Sequence, residues 1–285
     1  MKISNYSSLV RVVDPRYPTN FAILILSSLT GGTQFLFSIY QGVDLLSSIT
    51  AAVPLAVTVF LTWALGREID PEHELAAFVG LPLVIPGYWL LAAPDLMAVL
   101  TILLLLRLLN RITGVIPKFL DSLTISGLGI WLVFRGDWIF GFLTAAVFFL
   151  DSRLPDPKKQ NLFFSGIMTI FTIVSLLIQK PAVPQTEIFP AEFFFVIGVI
   201  LLFMPLIVHS RHIEVICDFP EKEINPLRVQ ASQIFTITSV SLVWLIQGRH
   251  GIINLMPIWS SIIALSIVYL STALLNKIRQ KNEVY

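Results

Sequence analysis

Charge is scarce in this chain. Of 285 residues, 13% are Asp, Glu, Lys or Arg, against 55% hydrophobic residues and a mean hydropathy of +0.81. Soluble domains carry about a quarter charged residues, and a water-soluble fold of this size has nowhere to put so much Leu, Ile, Val and Phe. A lipid bilayer is therefore the expected solvent. Cysteine is scarcer still: the lone Cys217 excludes an intrachain disulfide and a cysteine-based metal cluster. A formal net charge of +1, with no basic patch, argues against a nucleic-acid partner.

Other absences narrow the chemistry. No Asp, Glu, Lys, Arg or His falls near the middle of any long apolar run. Intramembrane ionisable groups mark proton relays and ion-coupled sites, so a proton pump or a carboxylate enzyme inside the membrane is not expected. Asp70, Glu72, His73 and Glu74 lack the H-E-x-x-H spacing that puts two histidines on one helix face. His212, Glu214, Cys217, Asp218 and Glu221 offer one His and one Cys among acids. Both groups read as solvated loops. The glycines form no phosphate-binding loop, and no Ser/His/Asp order stands out. The motifs thus point to no enzyme, cofactor or metal.

What is present is a succession of ten apolar stretches: roughly 20–40, 44–65, 75–92, 95–110, 118–134, 137–151, 162–179, 191–209, 231–248 and 257–275. Backbone amides in hydrocarbon must be satisfied within their own segment, so the stretches are expected as helices. A span needs about 17–25 residues. The third to sixth stretches are short, which suits thin upright helices or one re-entrant hairpin. The first apolar run has no A-x-A-like cleavage site and reads as a retained span.

Charge placement sets the expected sidedness. With a cytoplasmic N-terminus, sixteen of the nineteen Lys and Arg fall on the cytoplasmic side; only Arg135, Lys180 and Arg249 fall opposite. The positive-inside bias acts on short loops such as these. The expectation is an all-α protein of about ten transmembrane helices in five hairpins. A cytoplasmic segment 1–19 precedes one membrane domain, 20–275, and a cytoplasmic tail, 276–285, follows it. Tyr40, Trp89, Trp131, Trp138, Trp244 and Trp259 near the outer ends agree with this sidedness. A true pair of spans and a re-entrant hairpin return to the same side, so charge does not separate eight crossings from ten.

The stretches differ in polarity. The first, fifth, seventh and ninth are rich in Ser, Thr, Gly and Gln; the fourth, sixth and eighth carry at most two such residues each. Small and hydroxylated residues favour helix contacts. The first set is therefore expected inside the bundle and the oily set facing lipid. Asp14-Pro15, Asp70-Pro71, Asp156-Pro157 and Asn225-Pro226 read as turn and helix-start punctuation.

Candidate site residues follow from this picture. Gly31, Gly32 and Gln34 lie mid-depth in the first stretch, where paired glycines either loosen a helix beside a solute site or let it pack closely. Pro82, Pro86 and Pro205 are further breaks. Asp121 and Ser126 begin a polar face on the fifth stretch, and Gln233 with Ser232 and Thr236 begins the ninth. Asp121 alternatively suits the helix macrodipole beside Lys118. Arg107, Asn110 and Arg111, at i, i+3 and i+4, share one helix face able to hold an anionic headgroup or substrate, or to anchor the helix at the interface. The leading expectation is a permease or facilitator for a small neutral or weakly polar solute. A non-enzymatic membrane subunit with a membrane protein partner is the alternative, and a lipid-processing enzyme using Asp121, Arg107 and Arg111 is the third. A prokaryotic plasma membrane or an internal membrane is the expected location.

Overall fold

The computed structural model describes residues 7–9, 11, 13–179, 189–213, 215–217 and 223–283. The chain is all-helical, 79% helix with no strands among those residues. Twelve α-helices follow in order: α1 (Pro18–Tyr40), α2 (Leu45–Ile69), α3 (Ala76–Val79), α4 (Leu81–Leu90), α5 (Leu96–Asn110), α6 (Phe119–Phe134), α7 (Ile139–Asp151), α8 (Gln160–Gln179), α9 (Pro190–His209), α10 (Pro226–Gln247), α11 (Arg249–Asn254) and α12 (Met256–Glu283). Six of them, α1, α2, α8, α9, α10 and α12, are long and apolar enough to cross a membrane. The protein is thus of the multi-pass membrane class. The stretches 76–90, 96–110, 119–134 and 139–151 form shorter apolar helices.

Local chemistry sets the helix ends. Asp44, Asp95 and Asn225 accept hydrogen bonds from the first free amides of α2, α5 and α10. Proline opens α1, α9 and α10, where a missing N–H costs nothing. Of the four Asx-Pro pairs, only Asn225-Pro226 directly caps a helix. Asp14 and Asp70 instead close turns by accepting from the amides of Arg16 and Glu72. The stretch holding Pro82 and Pro86 breaks at Gly80 into α3 and α4. By contrast, α1 runs unbroken through Gly31-Gly32.

The interior differs from the expectation based on polarity. The oily α5 is the centre of the bundle, packed on α2, α6, α7 and α10, with ten of its fifteen residues buried. The oily α7 is also largely buried. The Ser/Gly-rich α1 is peripheral: it packs chiefly on α2 and buries only Asn20, Ile23, Ser27, Gly31 and Ser38. α8 is peripheral as well. α10, inside, and α9, outside, lie as expected, and α6 packs on α5, α7 and α8 with Asp121, Ser122, Ser126 and Gly129 buried. The reason is the solvent. Lipid tails are as apolar as Leu, so no hydrophobic force expels an oily helix from a membrane interior. The hydroxyls of α1, α6, α8 and α10 bond mostly to their own helix, as Thr30 and Ser126 do, and need no polar neighbour.

Small residues act instead at close helix contacts, as where Gly66 of α2 meets Ala77 of α3 and Gly129 of α6 meets Thr144 of α7. Gly31 of α1 packs against Ala52 and Ala56 of α2, four residues apart, and a Cβ on Gly31 would come within 2.9 Å of the Ala56 Cβ.

Candidate functional site

Polar groups gather at the two ends of α5. At its N-terminal end, Arg135 pairs with Asp95 and Asp137, and Gln247 joins Asp137 to Asn254. At its C-terminal end lies a larger network, referred to below as the basic end.

The network has two carboxylate nodes. Glu68, at the end of α2 and almost fully buried, accepts from Arg107 Nε at 2.9 Å and from Asn110 Nδ2 at 3.2 Å; Arg11 approaches it at 3.7 Å. Asp151, at the end of α7 and fully buried, accepts from Arg111 at 2.5 Å, Arg228 at 2.8 Å and Asn161 at 2.8 Å. The Arg107/Asn110/Arg111 face of α5 thus reaches two protein carboxylates on opposite flanks. Arg111, at φ 52°, turns the chain out of the helix while its guanidinium also meets the carbonyl of Asp156. Such buried pairs hold together because each charge is multiply hydrogen-bonded. Beside them, burial lowers the Lys158 ammonium pKa against the pull of Asp121 and Asp151.

A third node ties down the N-terminal segment. Ser7 Oγ donates to Asp121 at 2.5 Å, and the Ser8 amide and hydroxyl donate to its other oxygen at 2.9 and 2.8 Å. The Lys118 amide adds a bond at 2.8 Å, and Arg107 donates to the Leu9 carbonyl. Asp121 is therefore both a helix-start residue, as its position suggested, and the anchor of residues 7–9.

Beside Glu68 opens a cavity of about 150 Å³. Arg11, Asn20, Arg67, Glu68 and Arg107 form its polar wall, and Phe60, Leu61, Trp63, Leu100 and Leu103 its apolar floor. Arg67 lies over the Trp63 ring at 5.1 Å while bonding Asn20 and Glu74. Trp63 is buried, and its indole N–H has no hydrogen-bond partner among the described residues.

The remaining candidates lie apart from this cavity. Gln34 accepts from the Trp89 indole at 2.8 Å, at a contact between α1 and α4. Gln233 donates to the Ile69 carbonyl and to Ser210 Oγ. Gly31 is a packing contact, Gly32 faces open space, and Ser126 bonds its own helix. Gln34, Asp121 and Gln233 share no partner, and none of them lines the cavity. Of all nine candidates only Arg107 does.

Sequence reasoning missed Glu68, Asp151, Arg228 and Trp63. The first three sit at the ends of apolar stretches, where a charge reads as topological; only the pairing reveals that they are buried. In the 70–74 loop, Asp70 is buried and bonds His73 at 2.9 Å. That hydrogen bond raises the His73 pKa. Of the second acidic group, Glu214, Asp218 and Glu221 lie outside the described residues. Cys217 is buried in a small apolar cluster with Ile112, Ile213, Ile224 and Val229.

Comparison with known proteins adds no relative: no family model, curated protein or solved structure matches this chain.

Proposed function

We propose that this protein is a ten-crossing permease with both termini cytoplasmic, which takes up a small organic anion with an apolar body in the cavity at the basic end. The cavity carries the reading. Arg11, Arg67 and Arg107 line its polar wall, sharing their charge with Glu68 and Glu74, while Trp63 and three leucines supply an apolar floor. Arginine matches carboxylate or phosphate in a bidentate way. A cavity near 150 Å³ accepts a molecule about the size of benzene. The proposed solute is therefore charged, where composition alone suggested a neutral or weakly polar one.

The two polar clusters support the reading of ten crossings. Counting α3 and α4 as one segment and joining α11 to α12, successive segments alternate between the Asp95 end and the Arg107 end. Four of the segments are short, about 20–24 Å long at 1.5 Å per residue. The lipid-processing reading finds less support, since Asp121 and Arg111 are spent on Ser7, Ser8 and Asp151 and lie off the cavity. The membrane-subunit reading keeps one specific observation: α1 leans chiefly on α2, with Leu29, Leu36 and Phe37 exposed.

Uptake of labelled hexanoate or butyl phosphate into proteoliposomes tests the proposal. Leu100→Trp, which fills the cavity floor without touching the charges, should cut uptake tenfold or more. Uptake that survives the filled cavity, or none for either anion, rejects it.

A further inference from the structure

The cavity at the basic end does not stand alone. A second, smaller cavity of about 60 Å³ lies next to it, and the two share Arg11 and Arg67 in their walls. Asp70, Pro71 and Glu74 of the loop after α2 line the second cavity, together with Ile112, Val215 and Ile216. The Glu74 side chain is 52% exposed, so this wall of the second cavity reaches water. Arg67 is only 12% exposed and belongs to both spaces.

Three groups position Arg67. Its guanidinium lies over the Trp63 ring at 5.1 Å, its Nη1 donates to Asn20 Oδ1 at 3.0 Å, and its Nη2 donates to Glu74 Oε1 at 2.8 Å. Trp63 and Asn20 line the first cavity, whereas Glu74 lines the second. We infer that Glu74 holds the place of the solute's own carboxylate: it is the resting counter-ion of Arg67, and an organic anion enters the cavity by displacing it. This rests on the reading of the cavity as an anion site and names how that site is closed and opened. A carboxylate arriving through the second cavity meets the Nη2 that Glu74 occupies and makes the same charge-assisted hydrogen bond there.

Burial decides which carboxylate can exchange. Glu68 is 3% exposed and accepts from both Arg107 and Asn110, so withdrawing it would strand charge away from water. Glu74 differs. An exposed ion pair gains little from its partner, because water screens the pair and solvates each charge when it parts. Glu74 therefore leaves Arg67 at small cost. The loop behind it stays in place: Asp70 accepts from the Glu72 amide at 3.0 Å and bonds His73 at 2.9 Å, and Glu72 meets His209 of α9 at 3.2 Å. Opening is then a turn of the Glu74 side chain rather than a movement of helices. Asn20 and Trp63 keep the guanidinium where the solute meets it.

Equilibrium binding of hexanoate to the full-length protein in nanodiscs tests the exchange. Glu74→Gln removes the competing charge from an exposed side chain and should tighten binding about threefold, the size set by one water-exposed ion pair. A purely structural role for Glu74 predicts weaker binding instead. Glu72→Gln removes an equal charge from the same loop, where the partner is His209, and should leave the affinity unchanged. Saturable wild-type binding that does not tighten in Glu74→Gln, or tightens equally in Glu72→Gln, overturns the exchange and leaves the anion site standing. Absent wild-type binding overturns the anion site itself, and the exchange then has its own readout. With Cys217 replaced by Ser, the thiol of Ala64→Cys in the wall of the first cavity is alkylated with iodoacetate, itself a small carboxylate. Adding Glu74→Gln should make that reaction roughly twofold faster or more, again the size of one exposed pair; an unchanged rate overturns the exchange.

Discussion

Asp151 is the residue on which most of the basic end depends. It has no exposure and faces two arginines and an asparagine, so its carboxylate neutralises charge that has no access to water. Removing one partner of a buried ion pair costs about 3–5 kcal/mol, because the others stay behind uncompensated. Asp151→Asn should lower unfolding free energy by about that much, read by denaturant titration in detergent. The exposed Lys159, just before α8, should tolerate Ala within about 0.5 kcal/mol. Equal effects of the two would mean that the ion-pair network contributes nothing.

The paired glycines of α1 make a second residue-scale contrast. A side chain at Gly31 collides with Ala56, while one at Gly32 meets nothing within 4 Å. Gly31→Leu should destabilise the α1–α2 contact by roughly 1–3 kcal/mol through overpacking. Gly32→Leu should be near neutral or slightly stabilising through helix propensity. Thermal unfolding of the two variants side by side checks this. A solute-lining role for the pair predicts instead that both fold well and both impair uptake.

At the scale of elements, the helices were legible and their depth in the bundle was not. Long apolar runs fix helices wherever backbone groups must be satisfied internally, and the ends follow from Asp44, Asp95 and Asn225. Inside-versus-outside was read from hydroxyl and glycine content, and α5 shows why this fails. In water, burial would separate an oily helix from its surroundings. In lipid it does not, and Ile102, Leu105, Leu106, Leu108 and Leu109 of α5 are all fully buried among equally apolar neighbours. Only shape complementarity decides that position, and composition does not report it. Leu106→Ala in α5 should cost about 2–5 kcal/mol through the cavity it leaves. Leu29→Ala in α1, more than half exposed, should cost little. Thermal unfolding of the two variants separates them. The site was partly legible for the same reason: Arg107 was found because a charged triplet on one face is visible in sequence, whereas Glu68 and Trp63 acquire meaning only when α2 is laid beside α5.

For the whole molecule, the separation of charge into two ends is the main regularity. Asp95, Arg135, Asp137 and Asn254 meet at one end; Glu68, Arg107, Arg111, Asp121, Asp151 and Arg228 meet at the other. With Cys217 replaced by Ser, single cysteines at Ala93 and Gly136 should react with a membrane-impermeant thiol reagent added outside intact cells. One at Lys159 should react only after the membrane is opened. A silent Ala93→Cys or Gly136→Cys would make the corresponding short hairpin re-entrant and reduce the crossings to eight. The central claim, that the cavity at the basic end receives a small organic anion, is tested most directly by equilibrium binding of hexanoate to the nanodisc-embedded protein, wild type against Leu100→Trp. The account predicts saturable binding that weakens at least tenfold in the variant; absent binding, or the same affinity in both proteins, would contradict it.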